Sequence, residues 1–100
     1  MDGFVNLDRF DFNQLYVFYV LYEERSLKHA AERMNLSQSA ISHKLSGLRK
    51  TFNDPLFERK NRQMQPTLFS EKLVIEIEPI IKQLFSFYKK INDFRTIKSA

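Results

Sequence analysis

The sequence predicts a mainly α fold: a three-helix core with a short β-hairpin, followed by one long helix. Three observations carry this reading. Apolar residues recur at i, i+3, i+4 and i+7 in the first third of the chain. Two short helices near the middle are each preceded by a serine placed to cap them. From Leu73 to Phe94, apolar residues follow one another at alternating steps of four and three.

Taken in order, residues 1–10 read as a loose lead-in around Gly3. Asp11 and Gln14 are spaced as an N-cap and capping box, and Leu15, Phe18, Tyr19 and Tyr22 then give a first helix near 12–24. Ser26 caps a second helix that turns Leu27, Ala30, Ala31 and Met34 inward, with the two small alanines admitting a close neighbour. Asn35 tolerates the left-handed conformation of a sharp helix exit. Ser37 caps a third helix with a buried stripe of Ile41, Leu45, Leu48 and Phe52, which Asn53-Asp54-Pro55 brings to an end. Two extended pieces around a basic tip, Lys60-Asn61-Arg62, would make a hairpin "wing", although the tip lacks glycine. Thr67, after Pro66, caps a last helix near 68–95, in which Pro79 is expected to kink the helix or leave a carbonyl unpaired. The expected division is a domain over 1–67 and a linker helix over 68–97.

One hundred residues make one small domain. Ten Phe and four Tyr help so short a chain bury enough area for a core. The absence of Cys excludes disulfides and thiolate metal sites and fits a reducing cytoplasm. No apolar run approaches the ~20 residues needed to span a bilayer, and the first residues lack the basic segment of a signal peptide. The net charge of +4 is unevenly placed: residues 25–65 hold nine bases against three acids, whereas residues 1–24 hold one base against five acids. A polyanion is the simplest partner for such a middle segment, with a merely solvated surface as the alternative.

The order of parts from Ser26 to Leu45 is that of a helix-turn-helix whose second helix enters the DNA major groove. Gln38 can bond adenine bidentately, Ser39 and Ser42 can donate or accept, and His43 can reach guanine or phosphate. All four lie off the Ile41–Phe52 stripe, on a face without carboxylates. Arg59, Lys60 and Arg62 of the wing are candidates for backbone or minor-groove contact. Ser26, Ser37, Lys44 and Thr67 are further candidates for phosphate, Thr67 together with the free N–H groups of a helix start. The seam of Leu73, Ile77, Ile80, Leu84, Phe87, Ile91 and Phe94 is long for an isolated domain, and pairing with a second copy is its expected use. The alternative is that it packs back on the first helix. With two His, no Cys and no glycine loop, no metal site, cofactor site or reaction centre is expected, and the chain does not read as an enzyme.

Ala30-Ala31-Glu32-Arg33-Met34, Leu36 to Ser42, Leu48, Leu56-Phe57-Glu58-Arg59 and Pro66-Thr67 together resemble the DNA-binding domain of LysR-type transcriptional regulators, over about Phe12 to Tyr88. The resemblance implies a winged helix-turn-helix with a long linker helix. It also implies a cytoplasmic, nucleoid-associated bacterial protein that binds interrupted palindromes in promoters as a homodimer, often assembling to a tetramer at full length. It places base reading on Gln38, Ser39, Ser42 and His43, wing contacts on Arg59 and Arg62, and a backbone contact on Thr67. Two residues depart from the family pattern: Ser39 stands where Pro is usual, and His43 where Arg is usual. A neutral imidazole lacks the guanidinium fork that grips guanine, so base preference at that position is open. Full-length members carry a C-terminal domain for a small-molecule effector. That domain is expected to be absent here, either because the chain is truncated or because it is a natural short protein. Two other readings compete: a protein-interaction module on the same fold, and a dominant-negative short form that pairs with a full-length regulator.

Overall fold

The computed structural model describes residues 11–99. The expected lead-in over 1–10 lies outside the described residues. Four helices and one hairpin follow in the predicted order.

Helix α1 (Asn13–Glu24) is the centre of the fold. It packs against every other helix, so Val17, Val20 and Leu21 are buried along with Leu15, Phe18 and Tyr19. A helix apolar on nearly every side belongs inside a core, and the single stripe read from spacing understated it. The capping box does not form. The Asp11 carboxylate accepts the N–H of Asn13 (3.0 Å), while the Gln14 side chain is drawn away to accept from Thr51 Oγ1 (3.0 Å).

Helix α2 (Leu27–Met34) starts where Ser26 Oγ accepts from the His29 N–H, and its two buried alanines face the core. Asn35 is left-handed (φ 58°) and ends the helix as expected. Helix α3 (Gln38–Phe52) begins at Ser37, whose Oγ accepts from the Ala40 N–H (3.0 Å), and buries Ile41, Leu45 and Leu48. Asn53 closes it, again left-handed.

Strands β1 (Phe57–Lys60) and β2 (Gln63–Pro66) form an antiparallel hairpin in which Lys60 pairs with Gln63 and Phe57 with Pro66. The turn is Asn61-Arg62 alone, with φ of 51° and 65°. Both values suit the primed two-residue turns whose twist matches a hairpin, so the turn forms without glycine. Lys60 closes β1 rather than sitting in the tip, which corrects the expected boundary.

Helix α4 (Leu68–Ser99) is unbroken through Pro79. Proline has no N–H to offer the Ile75 carbonyl, but Ile75 is exposed, so water can serve it. Ile77 and Ile81 enter the core against α1, with Leu73 and Val74 packed beside them. From Lys82 to Arg95 every side chain is exposed.

Candidate nucleic-acid interface

The reading face begins at the N-terminus of α3. Gln38, Ser39, Ser42 and His43 are all exposed. Gln38 stands about two turns before Leu45 on nearly the same face and is exposed because it opens the helix, whereas Ser39, Ser42 and His43 lie off the buried row of Ile41, Leu45 and Leu48. Helical periodicity produces this separation, and the Ser37 cap fixes where the helix starts. Residues 38–52 contain no Asp or Glu, so the face opposes no phosphate. Lys44 lies elsewhere: it is half-buried and, with His43, lines a cleft of about 190 Å³ against Asp11, Asn13, Gln14, Val17 and Gly47. Asp11 is the acid among the residues that line this cleft.

The two serine caps behave alike. Ser26 Oγ and Ser37 Oγ each accept a helix N–H, which leaves each hydroxyl proton free to be donated outward. Thr67 differs, and its predicted role needs correction. Its Oγ1 accepts from the Ser70 N–H (3.1 Å) and lies 2.9 Å from Asp54 Oδ1, so its proton is committed to that carboxylate. It is a cap and a tie, with an acid beside it, rather than an open phosphate donor.

In the wing, Arg59, Lys60 and Arg62 are exposed, and their side chains make no ion pair or hydrogen bond among the described residues. Alternation along β1 sends Arg59 to the face shared with Phe57 and Met64, and Lys60 to the opposite face. One groove cannot meet both from the same side. Arg62 sits in the turn between the strands.

Other bases are engaged. Arg33 Nη1 bonds Glu23 Oε1 (2.7 Å) and Glu24 Oε2 (3.0 Å), tying α2 to α1. For Glu23, burial pushes the carboxyl pKa up, but bonds from Arg33 and Tyr19 outweigh it and hold the group below its usual range. The Glu23 bond likewise holds the Arg33 guanidinium above its ordinary value. Arg33 is thus neutralised locally and adds little to the positive field. The Arg25 guanidinium stacks 4.5 Å from the Tyr22 ring centroid.

The predicted pairing seam is split. Ile77 is buried at 3% exposure and Leu73 is half-buried, both within the chain's own core, so neither is offered to a second copy. Here the alternative of packing on the first helix is what the structure adopts. Ile80 (47% exposed), Leu84, Phe87, Ile91 and Phe94 remain exposed. Leu84 also borders a groove of about 250 Å³ lined by Phe12, Tyr16, Ile81, Phe85 and Tyr88.

Sequence reasoning missed the residues that hold the wing. Asp54 Oδ1 accepts from the Leu56 N–H (2.8 Å), and Ser70, fully buried, donates to the Leu56 carbonyl (2.7 Å). Arg49 donates to the carbonyls of Pro55 and Phe57. The Asx-turn habit of Asn-Asp-Pro could have flagged Asp54; no local signal marks Arg49 or Ser70.

Known proteins share this arrangement. Residues 12–71 match the family described as "Bacterial regulatory helix-turn-helix protein, lysR family". The HTH-type transcriptional regulator YbdO of Escherichia coli K12 is 36% identical over 84 residues, which are 84% of this chain and 28% of YbdO. The crystal structure of the probable transcriptional regulator PA0477 from Pseudomonas aeruginosa superposes with a TM-score of 0.76 at 39% identity, covering 80% of this chain and 27% of that one. The CbnR_DBD-DNA complex superposes at 0.69 with 22% identity, covering 81% of this chain and 93% of that one, a likeness of fold. The chain thus spans about a quarter of the length of YbdO and PA0477. With the family's defining segment present from α1 into the first turn of α4, this chain belongs to the lysR family of bacterial regulatory helix-turn-helix proteins.

Proposed function

We propose that this chain binds double-stranded DNA sequence-specifically, with the N-terminal half of α3 in the major groove and Arg62 of the wing at the backbone or minor groove. The observation that carries the reading is the α3 face, where four exposed polar side chains stand together on a helix without acids. Gln38 is the strongest base reader, because its amide can donate and accept at once on adenine. Ser39, Ser42 and His43 complete the face, and Ser26, Ser37, Lys44, Arg59 and Lys60 supply the surrounding field. Thr67 contributes the placement of a helix start rather than its hydroxyl.

A homodimer formed through Ile80, Leu84, Phe87, Ile91 and Phe94 would place two α3 helices on one interrupted palindromic promoter site. Transcription would be regulated from the bacterial cytoplasm, at the nucleoid. Tetramers and a small-molecule effector belong to a longer protein with a C-terminal domain. Among the described residues, no helix is long and apolar enough to cross a membrane.

Selection of duplexes from a random-sequence pool supplies the binding site. On the selected duplex, Gln38→Ala should weaken binding by ~1–3 kcal/mol while sparing the unselected pool. Equal loss on both would remove the base-reading role.

A further inference from the structure

We propose that Arg49 is a positioning residue for DNA recognition, holding the wing at a fixed place relative to the reading face of α3. The proposal rests on the wing's taking part in binding, as set out above. Residue 49 lies 11 residues beyond Gln38, which is about three helical turns, so it falls on the same face of α3 as Gln38 and Ser42. Its guanidinium nevertheless turns to the hairpin. Nε donates to the Pro55 carbonyl (2.7 Å) and Nη2 to the Phe57 carbonyl (3.0 Å).

The Pro55 carbonyl also accepts from the Phe57 N–H (2.7 Å), whereas the Phe57 carbonyl needs a donor from outside the hairpin. The bond from the Thr67 N–H to the Leu56 carbonyl (3.0 Å) makes 56 and 67 a hydrogen-bonded pair, so Phe57 and Pro66 form the next, non-bonded pair. The Phe57 carbonyl therefore points away from β2, to the open edge of β1, where the Arg49 fork closes it. The opposite edge is held by the Met64 N–H on the Arg25 carbonyl (3.3 Å). The connection between α3 and β1 is also held at Asp54 and Leu56, by the Leu56 N–H, Thr67 Oγ1 and Ser70 Oγ, none of which comes from α3. Asn53 and Leu56 are both left-handed without being glycine, and Pro55 has no N–H. The Arg49 backbone carbonyl accepts from Asn53 and Asp54. Among the described residues, the hydrogen bonds from an α3 side chain to this segment are both Arg49's. A planar fork with two fixed donors suits two carbonyls in a way that a point ammonium does not.

The test uses Arg49→Met and Arg49→Lys, each alone and combined with Arg62→Ala, on the selected duplex and on free protein. In free protein, the Lys60 and Gln63 amides of the hairpin should exchange about fivefold faster in Arg49→Met, with α3 amides unchanged. Affinity should fall about fivefold in the parent but less than about twofold in the Arg62→Ala background, because a wing without its tip cation gains nothing from placement. Arg49→Lys should lose affinity with Arg49→Met, having kept the charge and lost the fork. Unchanged hairpin exchange overturns the clamp. Equal losses in both backgrounds, or full affinity in Arg49→Lys, overturn the positioning role in favour of a direct phosphate contact. Arg62→Ala without effect overturns the wing's part in binding and this proposal with it; exchange in free protein tells that failure apart from failure of the clamp.

Discussion

The two halves of α4 carry the same apolar rhythm and meet different fates. Before residue 82, Leu73, Ile77 and Ile81 lie in the core against α1; beyond it, Leu84, Phe87, Ile91 and Phe94 face outward. Helix geometry separates Ile80 from Ile81, but Leu84 and Ile91, 11 and 18 residues beyond Leu73, lie within ~20° of Leu73's face. The buried row advances by steps of four, 73 to 77 to 81, whereas the seam read from spacing advances by 3.5 on average and leaves that row at Ile80. A straight helix turns by 3.6 residues, so a 3.5-residue stripe drifts around it by ~20° per heptad. Periodicity thus identifies an apolar face without saying what meets it. The contact is decided by where α1 ends and the body stops.

Three substitutions sharpen this contrast. Ile77→Asp should be the most damaging, since it leaves an unpaired carboxylate in the core. A loss of about 4 kcal/mol or more, or failure to fold, is expected by denaturant unfolding. A variant as stable as the parent would mean that the first half of α4 is not part of the core. Leu84→Asp should do the opposite, giving monomers in sedimentation while monomer stability moves by no more than about 0.5 kcal/mol. Dimers that persist would separate the exposed stripe from self-association. The smallest effect concerns the polar margin of the first half. Tyr19 lies in reach of Glu23 and 3.5 Å from Glu78 of α4; the Glu23 bond, with burial, raises its pKa from 10.0 to about 12. The unfolded chain loses that proton first, so Tyr19's contribution is complete below pH 10 and disappears as pH rises toward 12. Tyr19→Phe should flatten the alkaline fall in stability, and an identical fall would remove Tyr19 as its source.

Much of this was legible because it is local. Ser26, Ser37 and Asn35 act within three or four residues of themselves, so helix starts and stops could be read directly. The exposure of Ser39, Ser42 and His43 followed from the Ile41–Leu45–Leu48 stripe on the same helix, and that of Gln38 from its place at the helix start. Gln14 misled because its best partner, Thr51, is brought near only by tertiary packing. Thr67 misled in the same way: a cap position was read correctly, but the Asp54 carboxylate that occupies its hydroxyl comes from the far side of the hairpin. Arg49 and Ser70 serve carbonyls six to fourteen residues away, and no pattern in neighbouring residues announces such a bond.

The hairpin turn carries one more implication. Arg62 holds a left-handed backbone (φ 65°), a conformation that is disfavoured by roughly 1 kcal/mol for a residue with a Cβ. Glycine would relieve the strain there and remove the tip's cation in the same step. Protein engineering guided by melting temperature alone would therefore discard the side chain proposed to touch DNA. At this position, robustness of the scaffold and grip on the nucleic acid are opposed objectives.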